Sequence, residues 1–181
     1  MGESTTKATV KKAPDFSLLG TDGKTHSLSE LAGKPAVIVI FSCNHCPYVQ
    51  AYEDRIMEIQ KDYGPKGTAV VAINSNETDD HPEDSFENMV RRAREKKFNF
   101  LYLRDESQET ARAYGATHTP HIFLFNRGRE LCYTGKIDDN WKEPQKVQRR
   151  FLREALDAVL AGKSVPEPET FAIGCTIKWK R

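Results

Sequence analysis

Two thiols separated by two residues, Cys43-Asn44-His45-Cys46, can close a small disulfide ring if the segment between them turns. At the first turn of a helix such a pair meets unpaired backbone N–H groups and the positive end of the helix dipole, both of which favour thiolate over thiol. The chemistry is thiol–disulfide exchange. Cys43, its pKa expected to fall, attacks a disulfide, and Cys46 displaces the product from the mixed disulfide. Pro47 follows at once. Proline is tolerated in the first helical turn, where its missing N–H costs no bond, and it helps to set where the helix begins. Asn44 and His45 complete the turn between the sulfurs, and the imidazole is either a partial cation that lowers a thiol pKa or an exposed polar filler. Cys43, Cys46 and His118 could alternatively form a soft-metal site for copper or zinc. Cys175, beside Ile173, Ile177 and Trp179, reads as a small apolar anchor in preference to an extra resolving thiol. Cys132, between Leu131 and Tyr133, reads as structural.

Hydrophobic patterning gives the elements that must position this pair. Ala36–Phe41 is a continuous apolar run rich in Val and Ile, the pattern of a central strand buried on both faces. Val49, Tyr52, Ile56, Ile59 and Tyr63 draw one face of a helix that Gly64-Pro65 stops. Ala69–Ile73 is a second core strand. After the polar stretch 74–82, Phe86, Met89, Val90 and Ala93 mark a second helix. It is expected to open with Glu83, Asp84 and Glu87 and to close with Arg91, Arg92, Arg94, Lys96 and Lys97. These signs match the helix dipole, so the basic end is expected to be solvated. Phe100–Leu103 reads as a strand, and Ser107–Tyr114 as a short helix capped by Ser107 or Asp105. His121–Phe125 and Glu130–Thr134 form a hairpin through Arg127-Gly128, and Phe151–Leu160 is the last helix. Ahead of the central strand, Phe16–Leu19 and Thr25–Leu28 form a short hairpin around Thr21-Asp22-Gly23. Beyond the last helix, Pro166 and Pro168 stiffen an extended tail. This order predicts an α/β domain, a mixed central sheet flanked by helices on both faces.

Composition narrows the function. The chain has 181 residues, with 27 Lys+Arg against 26 Asp+Glu, a net charge of +1 that removes any polycation argument for nucleic acid. A hydrophobic share of 38% is too high for a disordered chain. No apolar signal core follows the first charges, and the longest apolar run, Ala36–Phe41, falls far short of the about 20 residues of a membrane span. The chain is therefore expected to be soluble and cytoplasmic, with no membrane partner. Four cysteines are too few to build a disulfide scaffold of this length. Met1–Thr6 satisfies the loose N-myristoylation pattern but reads as a plain polar segment. The sequon Asn76-Glu77-Thr78 is expected to be idle. Gly23-Lys24-Thr25 lacks the upstream glycine of a phosphate loop, and no dinucleotide-binding glycine run occurs. The acids Asp79, Asp80, Glu83 and Asp84 lack the donor order of a calcium loop.

The sequence resembles the thioredoxin superfamily, and within it the peroxiredoxin-like branch that includes the alkyl hydroperoxide reductase/thiol-specific antioxidant proteins. The resemblance rests on Ala13-Pro14-Asp15-Phe16, on the run from Gly23-Lys24 to Leu31-Ala32-Gly33-Lys34-Pro35, on Cys43-Asn44-His45-Cys46-Pro47-Tyr48-Val49, on Val71–Asn76, and on the closing Ile173-Gly174-Cys175-Thr176-Ile177-Lys178-Trp179. It implies a thioredoxin-like fold. Two templates of the superfamily then diverge. In the disulfide reductases the exposed nucleophile matches Cys43 and the resolver Cys46. In the peroxiredoxins the peroxide-cleaving cysteine matches Cys46, but the Thr and Pro that precede it there are Cys43 and Val39 here. The reductase template also has departures, since Ser42 replaces the usual Trp and the central strand carries no buried carboxylate. Thr119-Pro120 resembles the cis-proline element opposite the active cysteines, which implies that Pro120 is cis and that the Thr119 backbone holds a substrate peptide. His118 and His121 flank that element.

The resulting expectations are a flexible segment 1–12, a thioredoxin-like domain 13–161 with an N-terminal β-hairpin extension, and an extended C-terminal tail, 162–181, packed on it. The leading function is a thiol–disulfide oxidoreductase using Cys43 and Cys46 opposite Pro120, with Asn44, His45, Pro47, Thr119, His118 and Cys175 in support. The alternatives are a thiol-dependent peroxidase at Cys46 and a copper- or zinc-handling protein. No cofactor is expected. The partners are a disulfide-bearing protein or small disulfide and a thiol electron donor, and the protein is a monomer or homodimer.

Overall fold

The computed structural model describes residues 10–181, so the myristoylation pattern lies outside the described residues. Its centre is β3 (Ala36–Ser42), buried along its whole length. β3 pairs in parallel with β4 (Thr68–Asn74) on one edge and antiparallel with β7 (His121–Asn126) on the other. With both edges paired and both faces covered, an unbroken run of apolar side chains is the pattern that such a strand requires. β4 continues in parallel to β5 (Leu101–Arg104), and β7 turns antiparallel into β8 (Leu131–Gly135). The N-terminal hairpin, β1 (Ser17–Gly20) and β2 (Thr25–Ser27), extends the sheet by pairing β1 antiparallel to β5. The strand order is therefore β2-β1-β5-β4-β3-β7-β8, a mixed sheet.

Alternation along β3 divides the core between the two faces. Ala36, Ile38 and Ile40 pack with Tyr52, Ile56 and Ile59 of α1 (Pro47–Tyr63) and with Leu152, Ala155 and Leu156 of α4 (Phe151–Leu160). Val37, Val39 and Phe41 pack on the opposite face with Phe16, with Val71 and Ile73, and with Ala111 and Tyr114 of α3 (Glu109–Tyr114). α2 (Phe86–Lys96) lies beside β5, its Met89 buried with Ala72 and Tyr102. A separate two-stranded sheet joins β6 (His118–Thr119) to β9 (Cys175–Thr176) of the C-terminal tail. None of the helices among the described residues is long and apolar enough to cross a membrane.

The structure moves several expected boundaries. Residues 10–12 belong to the domain and not to a flexible segment. Val10 is buried in the core, and Lys11 O accepts from Leu131 N–H at 2.8 Å. α2 begins after Ser85, whose hydroxyl caps Asn88 N–H, so Glu83 and Asp84 sit in a preceding 3-10 turn (Pro82–Asp84). α3 begins at Glu109, and the Asp105 carboxylate accepts from Thr110 and Ala111 N–H. The basic end of α2 is not simply solvated. Arg92 Nε donates at 2.9 Å to the buried Glu53 of α1, and Lys96 pairs with Asp54 at 3.0 Å, so the two helices are clamped by charge.

Ile38, 0% exposed at the centre of the sheet, has no room to be replaced by neighbours. Ile38→Ala is expected to destabilise the fold by about 3 kcal/mol, whereas Leu19→Ala at a 43% exposed position should cost less than about 1 kcal/mol. Denaturant unfolding of both variants measures the difference.

Candidate functional site

The chain leaves β3 at Ser42 and reaches the helix start at Cys46 in a single turn. Cys46 is the N-cap of α1 in extended conformation, and Pro47 occupies the first helical turn as expected. Gln50 N–H closes the first helical hydrogen bond to Cys46 O at 3.0 Å, while Gln50 Nε2 donates back to Asn44 O at 2.9 Å. The turn between the sulfurs is thus held from the helix.

A buried carboxylate holds it from the other side. Asp84, fully buried, accepts from Asn44 N–H at 2.7 Å, from Asn74 Nδ2 at 3.3 Å and from Asn76 Nδ2 at 3.0 Å. The Asn44 side chain donates to Glu83 O and accepts from the Tyr102 hydroxyl at 2.7 Å. Asn44 is therefore a buried structural hub, and Asn76 of the sequon is consumed in the same network. His45 Nδ1 lies 2.6 Å from Asp84 Oδ2 without the alignment of a hydrogen bond, an electrostatic contact whenever the ring is protonated. No local pattern marks this acid, which reads as one of several before a helix. The carboxylate missing from the central strand is supplied by the 3-10 turn ahead of α2.

Opposite the cysteines, the Thr119-Pro120 peptide is cis, as the resemblance implied. Thr119 Oγ1 lies 3.4 Å from Cys43 Sγ, and Thr119 O lies 3.3 Å from Cys46 Sγ, a partner for the protonated thiol only. The two cysteines pack in one buried cluster with Val49. Both are buried, Cys43 at 2% exposure and Cys46 at 0%, so Cys43 is not the exposed thiol that the reductase template implied. The expected order of acidity is also reversed. Hydrogen bonding from Cys43 lowers the Cys46 pKa well below the usual thiol value against the opposing effect of burial. The Cys175 thiol and the N–H groups of Val49 and Cys175 add to the lowering. Cys43 is correspondingly held protonated by its hydrogen bond to Cys46, by burial and by the negative charge of Asp84. A buried pair in contact carries one proton between its members, and the sulfur at the helix N-cap is the one that the peptide dipoles favour as the anion.

A third sulfur belongs to this cluster. Cys175 Sγ is 2.8 Å from Cys46 Sγ, which corrects the reading of Cys175 as an apolar anchor. The anchoring in this part of the tail falls to Ile177, which is buried. Burial, together with the hydrogen bond to Cys46, pushes the Cys175 thiol up to about 11. Cys132 sits apart on β8, its thiol directed to Glu130 O at 3.4 Å.

The alternative metal set, Cys43, Cys46 and His118, is not brought together among the described residues. Among the described residues, the cysteine, histidine and acidic groups close enough to share an ion are Cys43, His45 and Asp84. His118 instead pairs its Nδ1 with Thr117 Oγ1 at 2.8 Å. His121 faces inward, with its ring 4.5 Å from that of Phe123. Its Nδ1 accepts from Thr117 N–H at 3.2 Å, which places the ring proton on Nε2 beside Thr134 Oγ1.

A thioredoxin-like fold carrying a dithiol at a helix start and a cis-proline across from it defines a class of protein, and sequence comparison gives the family. The Redoxin family model matches residues 8–149, and the chain belongs to that family. Two solved structures follow it over almost its whole length. One is the hypothetical protein SMc02350 from Sinorhizobium meliloti 1021, 39% identical with a TM-score of 0.89, covering 98% of this chain and 97% of that one. The other is an uncharacterized conserved protein from Geobacillus kaustophilus, 40% identical with a TM-score of 0.89, covering 99% and 98%. The thiol-disulfide oxidoreductase ResA from Geobacillus thermodenitrificans (strain NG80-2) is 26% identical over 131 residues, 71% of this chain and 70% of that one.

Two outcomes test the site's physics. Asp84→Ala leaves buried amide donors without their acceptor and is expected to cost about 3 kcal/mol in denaturant unfolding. His121 is held neutral, its pKa lowered from 6.5 to about 4, first by burial and then by His118. Above the unfolded value neither state carries the charge. As pH falls from 6.5 towards 4 the unfolded chain takes up a proton that the folded one refuses, so stability is lost in that window. A pH series of unfolding curves should show that loss reduced in His121→Gln.

Proposed function

We propose that this protein is a thiol–disulfide oxidoreductase acting on disulfide-bearing proteins or small disulfides. The observation that carries the reading is a contacting Cys43–Cys46 pair at the N-cap of α1, with Cys46 the acidic member, facing the Thr119-Pro120 bend. The likeness to ResA supports the same reaction class. In this reading the Cys46 thiolate attacks one sulfur of the substrate disulfide, forming a mixed disulfide and expelling the other sulfur as thiolate. Cys43 then gives up its proton and attacks Cys46 Sγ. The bond to substrate breaks, the second substrate sulfur leaves as a thiol, and a Cys43–Cys46 disulfide remains for a thiol donor to reduce. Attack at Cys43, expected from the motif alone, is disfavoured because that sulfur retains its proton beside Asp84.

Peroxide reduction at Cys46 is the second reading, favoured by the acidity of that thiol and by Pro47 after it. Against it, the place of the orienting hydroxyl in the peroxidase template is occupied by Cys43.

Single-round release of a chromophoric thiol from an aromatic disulfide separates these readings. Cys46→Ser is expected to slow the first round at least about 100-fold, and Cys43→Ser by less than about 10-fold. The reverse ranking would contradict the assignment. Hydrogen peroxide consumption faster than disulfide reduction, surviving in Cys43→Ser and lost in Cys46→Ser, would shift the function to a peroxidase.

A further inference from the structure

The backbone edge beside the cis-proline is already occupied by this chain's own tail. β9 runs antiparallel to β6, with Cys175 opposite Thr119 and Thr176 opposite His118. Gly174 lies so close that a Cβ there would be 2.0 Å from Thr119 O, so no other residue can seat the strand in this position. The residues after β9 are fastened. Ile177 N–H donates to Thr117 O at 3.0 Å, Lys178 N–H to Asn76 Oδ1 at 2.9 Å and Lys180 N–H to Gln108 Oε1 at 3.0 Å, while Lys178 O accepts from Glu77 N–H at 2.8 Å. The residues before it are not buried, with Phe171 at 70% and Ile173 at 38% exposure. The strand is therefore held on both sides, by Thr170 N–H to Thr134 O at 3.0 Å before it and by the bonds of 177–180 after it, with the exposed residues Phe171 and Ile173 in between. It presents Cys175 Sγ to Cys46 Sγ at 2.8 Å, less than an ångström beyond the about 2.05 Å of a disulfide bond. Cys46 has no exposed surface under this arrangement.

We infer that the tail is a built-in occupant of the substrate edge and that Cys175 resolves the mixed disulfide at Cys46. The inference rests on the proposed attack of Cys46 on the substrate disulfide and replaces Cys43 by Cys175 as the sulfur that first resolves the mixed disulfide, the Cys43–Cys46 disulfide forming afterwards by exchange. A substrate strand reaches Cys46 when β9 lifts from β6, and the mixed disulfide forms as described above. When β9 returns it displaces the substrate strand from the same backbone groups, and Cys175 attacks Cys46 Sγ. The Cys46–substrate S–S bond breaks and a Cys46–Cys175 bond forms. The substrate sulfur leaves as a thiol with the proton that Cys175 gives up. The substrate disulfide is the oxidant, and the two electrons come from the Cys46 and Cys175 thiols. Substrate release and tail return are then one event, and Cys43 becomes a second sulfur able to exchange with Cys46 afterwards.

The test is oxidation of the full chain with oxidised glutathione, followed by thiol blocking and non-reducing peptide mapping. In Cys43→Ser the expected product is a peptide pair linked through Cys46 and Cys175, with little glutathione retained. Adding Gly174→Val, which prevents β9 from seating, should reverse the ratio at least about tenfold in favour of glutathione held on Cys46. In the wild-type chain, quenching at early times should reveal the Cys46–Cys175 link, an observation that needs no variant to fold. Glutathione trapped on Cys46 in Cys43→Ser with Cys175 free, and no such link in the wild type, would overturn the inference while leaving the exchange reaction at Cys46 intact. No adduct and no link at Cys46 in any of these proteins would overturn both.

Discussion

The site depends on one constraint, the pairing of β3 on both edges. Because β4 and β7 fix β3 in register from Ala36 to Ser42 and from Ala36 to Phe41, the chain must emerge at one place and start α1 within a few residues. Cys46 is therefore at the N-cap, where peptide dipoles converge, and the register of β7 delivers Thr119-Pro120 to the same end of the sheet. Had β3 been an edge strand, neither the helix start nor the proline bend would have a fixed position relative to the other.

Charge then sorts the sulfurs. Asp84 organises the loop by accepting hydrogen bonds from Asn44, Asn74 and Asn76, and the same negative charge opposes ionisation of Cys43. Cys46 is the sulfur on which donors converge. Hydrogen bonding to Cys46 and burial weigh most against ionisation of Cys43, and the carboxylate that holds the turn adds to them. Thr119 meets both sulfurs, its hydroxyl at Cys43 and its carbonyl at Cys46, the latter a partner for the thiol form alone, so the bend opposite the pair is part of the site and not a distant support.

Much of the fold was legible because its signals are local. The β3 run, the α1 stripe from Val49 to Tyr63 and the hairpin through Arg127-Gly128 each announce themselves within a few residues, and the cis-proline came through resemblance. What was not legible depends on contacts made far along the chain. Nothing near Asp84 distinguishes a buried acid from the exposed ones beside it, since its partners come from the turn between the cysteines, the end of β4 and Asn76. Cys175 meets a sulfur 129 residues away, and a lone cysteine among apolar neighbours reads most simply as packing. Charge order within the cysteine pair also needed the structure, because the motif places both thiols near a helix start without saying which one caps it. Val10 belongs with these: placed by the sequence in a flexible segment, it is buried in the core against residues far along the chain.

The central claim is that Cys46, not Cys43, carries the negative charge in the reduced protein. A carbon-13 NMR titration of cysteine Cβ resonances reads protonation of each sulfur directly, irrespective of its exposure. We expect the Cys46 signal to titrate well below the about 8.5 of an ordinary thiol and the Cys43 signal above it. A Cys43 signal that titrates first, with Cys46 still protonated, would contradict the assignment of the attacking sulfur.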